Sequence, residues 1–308
     1  MILEDKYGRP LLNLRVAITR RCNLQCQYCH MEGEEKPAGN LGEEMTVDEI
    51  VRIVSVAVKL GISKIKLTGG EPLMRNDIGE IVKKIASIEG LSDLSMTTNG
   101  TLLASAAEEL HANGLERLNI SLPTVEKEVY HKLTGGNMEK ALKGIRAAVE
   151  AGLYPVKLNM LVLKDINDYA VPEMIEFANE TGTILQLIEL ERVNISAEYY
   201  SVNHKPLDEY EEMLRQKAVS VETRRYMQNR HVYRLPHVNV EVIRPTENEE
   251  FCMHCTRLRV TSDGKLKPCL MKNDNLVDVL GAIREGADDQ ELTELFKQAN
   301  DYRHPYAH

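Results

Sequence analysis

Hydrophobic positions over the first 190 residues follow two periods that take turns. In 14–19 (LRVAIT), 63–68 (SKIKLT), 92–98 (SDLSMTT), 116–122 (ERLNISL), 155–162 (PVKLNMLV) and 183–190 (TILQLIEL) apolar residues alternate with polar ones, the period of a strand. Between them, 46–60 (TVDEIVRIVSVAVKL), 76–88, 101–112, 138–151 and 171–181 carry the three-to-four spacing of an amphipathic helix. Thr46 with Glu49 three positions on forms a start signal, and Gly61, Gly114, Gly152 and Gly182 stand past helix ends. Six strands alternating with helices predict a parallel sheet with right-handed crossovers.

The strands are less apolar than strands buried on both faces should be. Arg15, Ala17 and Thr19 share a face opposite Leu14, Val16 and Ile18. Lys64 pairs with Lys66, Thr97 with Asn99, Arg117 with Asn119 and Ser121, and Lys157 with Asn159. A polar row repeated in neighbouring parallel strands points to a polar lumen. A closed eight-stranded barrel fills its interior with branched apolar residues. The expectation is therefore an α/β fold, a six-stranded partial (βα)6 TIM-like barrel, with reactive groups at the C-terminal strand ends.

Beyond residue 190 the pattern changes. Residues 206–217 read as a helix, 221–243 as two or three short strands turning at Gln228-Asn229, and 287–302 as a further helix. No Gly/Ser-rich or Pro-rich spacer separates this part from the rest. The division expected is 1–190 for the barrel and 191–308 for an extension packed on it.

The 308 residues are 43% hydrophobic, enough for a sizeable core. Net charge is −9, which argues against nucleic acid or an anionic membrane as partner. No apolar run approaches a membrane span and the first residues carry no leader pattern, so a cytoplasmic protein is expected.

Six cysteines form two triplets, Cys22-x3-Cys26-x2-Cys29 and Cys252-x2-Cys255-x13-Cys269. Three per group suits pairing into disulfides poorly and suits metal thiolates well. Three thiolates on a four-iron cluster leave one iron open, the coordination a catalytic site needs. The alternatives are Cys3His zinc sites, using His30 for the first triplet and His254 or His237 for the second.

The first triplet, with Tyr28 before its last cysteine, resembles the signature of radical S-adenosylmethionine (SAM) enzymes, and Thr68-Gly69-Gly70-Glu71-Pro72 resembles their SAM-amino-group motif. The run from NLRVAITRRCN through KIKLTGGEPLMR and TTNG to CTRLRVTSDGK closely resembles the GTP 3′,8-cyclase family of molybdenum-cofactor biosynthesis, over most of 10–190 and 250–272. The resemblance implies a lyase with two [4Fe-4S] clusters, on Cys22, Cys26 and Cys29 and on Cys252, Cys255 and Cys269. It implies that a 5′-deoxyadenosyl radical takes the ribose 3′ hydrogen of GTP and that the sugar radical attacks guanine C8. The product is (8S)-3′,8-cyclo-7,8-dihydroguanosine 5′-triphosphate, an intermediate of molybdopterin.

By matching positions, Tyr28, Gly70 and Ser121 would contact SAM. Arg15, Lys66, Thr97, Lys157, Arg257, the Leu258 backbone and Arg259 would contact GTP, with Arg257, Arg259 and Arg15 as catalytic residues. Implied partners are an electron donor protein, a second copy in a homodimer, and the cyclic pyranopterin monophosphate synthase that receives the product. Two departures stand out. The family's Arg-x-Ile-Glu-x-Met run reads Gln186-Leu187-Ile188-Glu189-Leu190-Glu191, so a cation is missing and a carboxylate replaces a methionine beside SAM. The family's terminal glycine pair is replaced by HPYAH. Rival readings are another two-cluster radical SAM enzyme, such as a peptide maturase, and a non-catalytic zinc- or iron-sensing module.

Overall fold

The computed structural model describes residues 2–35 and 44–306. Six parallel strands follow one another in chain order: β1 (Asn13–Ala17), β2 (Lys64–Thr68), β3 (Asp93–Thr98), β4 (Arg117–Ser121), β5 (Val156–Leu161) and β6 (Ile184–Ile188). Their ends fall within two residues of the expected bounds.

The sheet does not stop there. β7 (Ser220–Arg224), β8 (Arg230–Arg234), β9 (Asn239–Ile243), β10 (Arg257–Val260), β11 (Lys265–Lys267) and β12 (Val277–Asp278) belong to it as well. Among the described residues the order is β12-β11-β10-β1-β2-β3-β4-β5-β6-β9-β8-β7, a mixed, open, twelve-stranded sheet. The expected six strands are its middle. β10 runs parallel to β1, and β9 parallel to β6. A parallel run ends in two rows of unpaired N–H and C=O groups, and strands from residues beyond 190 satisfy both rows. The residues beyond 190 do more than pack on the six strands: they lengthen the sheet at each side.

Among the described residues six α-helices lie between and beside the parallel strands: α1 (Val47–Lys59), α2 (Ile78–Ala86), α3 (Ala107–Ala112), α4 (Lys127–Thr134), α5 (Met138–Glu150) and α6 (Val171–Glu180). Thr46 and Glu49 exchange the expected capping bonds at the start of α1, at 3.3 and 2.7 Å. The helix expected over 101–112 splits into a 3-10 turn, Leu103–Ser105, and α3. α4 was not anticipated. Later come α7 (Ala197–Asn203), α8 (Asp208–Lys217), α9 (Glu249–Met253), α10 (Val279–Arg284) and α11 (Asp289–Asp301). The helix expected over 206–217 starts after Pro206, which separates α7 from α8. α11 docks on α1 of the same chain, where Lys59 meets Asp289 at 2.6 Å.

The apolar strand rows form the core. Val16, Leu67, Met96, Ile120, Leu158 and Leu187 are fully buried and cluster with Ile50, Ile53, Ile81, Ile145 and Met174 of the helices. At about 25 cal/mol per Å² of apolar surface, each such side chain stabilises the fold by roughly 1.5–3 kcal/mol. This leaves the polar rows on the opposite face of the sheet.

Candidate active site

Strand register aligns those rows. Arg259 is paired with Arg15, Arg15 with Lys66, and Lys66 with Ser95. Further along, Thr97 pairs with Asn119 and Asn119 with Lys157; Asn159 pairs with Gln186 and Gln186 with Glu241. Paired residues share a face, so the row runs unbroken across the sheet. From Arg259 as far as Gln186 it lines a cavity of about 350 Å³, within the ordinary range of ligand sites. All six cysteines line the same cavity, as do Tyr28, Gly70 and Ser121. Leu258 differs: its side chain is fully buried in the core on the other face, leaving only its backbone between Arg257 and Arg259.

Hydrogen bonds link the row laterally. Lys66 Nζ donates to Asn119 Oδ1 (2.5 Å), Asn119 Nδ2 to Gln186 Oε1 (2.7 Å), and Gln186 Nε2 to Glu241 Oε2 (2.5 Å). Glu241 Oε1 accepts from Lys157 Nζ and from Arg224 (3.1 Å). Gln186 thus supplies no charge but ties two strands to a carboxylate. Burial would raise the Glu241 carboxyl; Lys157, Arg224 and Arg230 more than offset it and hold it at about 2. Glu32, after the first triplet, is a second buried carboxylate. Burial opposes its charge, but Arg15 and Arg259 hold it at about 2. It bonds Arg259 at 2.6 Å and Thr68 at 2.8 Å. Sequence reasoning missed Glu32, Glu241, Arg224 and Arg230. The alternation of 239–243 carried a signal only for Glu241.

Positive charge is in excess. Lys66 is pushed well below its usual range by burial and then by Arg15, Arg117, Arg257 and Lys157. Arg257 is pushed down by burial, then by Arg15 and Arg230. Such a surface favours a polyanion.

Local sequence explains the loop of the first triplet. Gly69 sits at φ +147, and a Cβ there would lie 2.3 Å from the Thr19 carbonyl; at Gly70 one would lie 2.2 Å from the Arg21 carbonyl. The glycine pair lets the chain after β1 pass close enough for Gly70 N to reach Thr19 O (2.8 Å) and Glu71 N to reach Arg21 O (2.7 Å). Buried Glu71 accepts from Thr98 Oγ1 and Asn99 N, both at 2.7 Å. Asn99 in turn donates to Asn23, beside Cys22, at 2.9 Å. The cysteine loop, TGGEP and TTNG are therefore one hydrogen-bonded assembly. Burial, then neighbouring Cys29 and Cys22, push the Cys26 thiol up to about 12.

The second triplet is gripped by both ends of the chain. Arg9 donates to the Cys252 carbonyl (2.9 Å) and Arg303 to that of Cys255 (2.5 Å). Burial would raise the Cys255 thiol, yet Arg257, Arg303 and Arg9 bring it below the ordinary range. Of the HPYAH tail, His304 lines the cavity and bonds Tyr7 (2.7 Å), while residues 307–308 lie outside the described part. Glu191 also lines the cavity, and its Oε2 is buried with no hydrogen-bond partner among the described residues.

Among the described residues, no three His, Cys, Asp or Glu side chains are arranged to hold a metal ion. A tetrahedral zinc with bonds near 2.3 Å would draw its sulfurs to about 3.8 Å of one another. Thiolates are the usual ligands of iron–sulfur clusters, and all six thiols border this one cavity.

The family described as "Radical SAM superfamily" matches residues 16–178, and the one described as "Molybdenum Cofactor Synthesis C" matches 183–308. A Thermococcus kodakarensis protein named "Probable GTP 3′,8-cyclase" is 48% identical over 312 residues, covering 99% of this chain and 99% of its own. One of that name from Methanocaldococcus jannaschii is 43% identical over 305 residues, again 99% of each. Among solved structures, Streptococcus suis SuiB bound to SAM gives a TM-score of 0.65 at 18% identity, over 94% of this chain and 69% of that one. Native anSMEcpe with bound AdoMet gives 0.60 at 18% identity, over 94% and 82%. At that identity the likeness speaks for a shared α/β fold. The thiol triplets, the glycine-pair loop and likeness along nearly the whole chain agree: this chain belongs to the GTP 3′,8-cyclase family of the radical SAM superfamily.

Proposed function

We propose that this chain converts GTP to (8S)-3′,8-cyclo-7,8-dihydroguanosine 5′-triphosphate in molybdopterin biosynthesis. The observation that carries the reading is one cavity lined at once by two thiol triplets and a row of cations. Likeness of 43–48% over the whole chain to proteins named for this activity supports it.

Cys22, Cys26 and Cys29 would hold one [4Fe-4S] cluster, and Cys252, Cys255 and Cys269 a second. With SAM bound, these groups would supply the radical that begins the reaction. Tyr28, Gly70 and Ser121 border the SAM side. Arg15, Lys66, Thr97, Lys157, Arg257, Arg259 and the Leu258 backbone take GTP. The cations neutralise the triphosphate, and the buried lumen keeps water from the reacting sugar. On this reading the six middle strands act as a partial barrel, 1–190 and 191–308 are its two functional units, and the protein works in the cytoplasm. An electron donor protein, a homodimer and the cyclic pyranopterin monophosphate synthase complete the picture. Among the described residues no helix is long and apolar enough to cross a membrane.

The test is anaerobic reconstitution followed by SAM and GTP under reductant. The expected outcome is 5′-deoxyadenosine together with a cyclised nucleotide. SAM cleavage stimulated by a peptide and not by GTP would sink the reading.

A further inference from the structure

Arg230 opens β8, and its side chain is only 8% exposed. Its register partner across β7 is Arg224, whose side chain is committed to Glu241. Glu241 is directly opposite Val232, two residues on from Arg230, so all three lie on the cavity face. Arg230 lines the cavity with the other cations.

Its contacts leave most of its hydrogen-bonding capacity idle. One Nη donates to Gln228 Oε1 at 2.6 Å, and the guanidinium lies 5.9 Å from the centre of the Phe251 ring. Nε is buried with no partner among the described residues. The carboxylate that acts on it most strongly, Glu241, already serves Lys157, Arg224 and Gln186; Glu191 acts more weakly and, among the described residues, makes no hydrogen bond to it. Arg257, across the cavity, likewise has no carboxylate partner among the described residues. The two guanidiniums, with Arg15, repel one another. A buried guanidinium with unmet donors is costly unless a ligand meets them. A neutral base would leave the charge standing. A phosphate answers both the charge and the fork of donors.

We propose that Arg230, carried by β8, is a phosphate-binding residue of the cavity and, with Arg257, takes the phosphate chain of the nucleotide; this rests on reading the substrate as GTP. Gln228 orients it from the turn and Phe251 supports its flat face.

The experiment measures binding of GTP, guanosine and inorganic triphosphate to the anaerobically reconstituted protein. Losing one charge-assisted contact, Arg230→Gln should weaken GTP and inorganic triphosphate by about 10- to 100-fold while guanosine stays within about twofold. Arg230→Lys, which keeps charge without the fork, should lose less. Iron content and melting temperature check folding. Should Arg230→Gln fail to fold, Arg230→Lys and Gln228→Ala must show the same phosphate-selective loss. Unchanged affinity for GTP and inorganic triphosphate would overturn the proposal, and so would an equal loss for guanosine. A wild type that binds inorganic triphosphate through Arg230 but not GTP would overturn the reading of the substrate and leave this one standing.

Discussion

Glu241 gathers Lys157, Arg224 and Gln186 on two oxygens while 2% exposed. Removing the charge strands buried Lys157 and half-buried Arg224, so Glu241→Gln should destabilise the fold by about 3 kcal/mol. The pH dependence follows from its position at about 2, below the ordinary 4.5. The contribution is complete above about pH 4.5 and fades as pH falls toward 2. Unfolding curves from pH 6 to 2.5 should therefore show the wild type and Glu241→Gln converging at the acid end; a constant gap would contradict the pairing. Arg257→Ala should weaken GTP binding about 10-fold or more while SAM cleavage remains measurable, checked by equilibrium binding and 5′-deoxyadenosine release. At this scale strand alternation was a good guide: Arg15, Lys66, Thr97 and Lys157 reach the cavity because each shares a face with its polar neighbours. Glu32 and Arg230 were not legible, and of Glu241 only its place in an alternating segment was. Their roles depend on partners far along the chain, and no local pattern encodes those pairings. The lack of a cation at Gln186 was readable; its bridging of Asn119 and Glu241 was not.

Among elements, helix starts and stops carried chemistry that sequence shows directly, as the Thr46 capping box illustrates. α4 escaped because it is a short segment whose start carries no side-chain cap, although Gly135 stands past its end as at other helices. The strands of 220–243 were foreseen, but not their place beside β6, since alternation tells which face is wet and not which neighbour is bonded. Packing between elements is equally hidden. Gly144 of α5 lies where a Cβ would come within 2.1 Å of the Gly100 carbonyl. Gly144→Ala should force α5 away from the turn after β3 and lower the unfolding free energy by about 1–3 kcal/mol, measured by denaturant titration. A neutral or stabilising result would mean the helix shifts freely there.

For the whole molecule the count of metals is the decisive quantity. Reconstituted protein should hold about eight irons if each triplet carries a four-iron cluster, and Cys255→Ala should retain about four. Four irons in both proteins, with GTP turnover intact, would remove the second cluster. The overall α/β class was legible, because alternating periods dictate it. The twelve-stranded continuity was not, because hydrogen bonding between β1 and β10 joins residues about four-fifths of the chain apart. That seam has a consequence for biosynthesis. As the nascent polypeptide leaves the ribosome, the outer edge of β1 must wait for β10, on the order of tens of seconds at about 5–20 residues per second. Throughout that interval a bare strand edge is open to mispairing, so production at low temperature or with a holding chaperone should raise the recovered yield more than for a protein whose first strand finds its mates early.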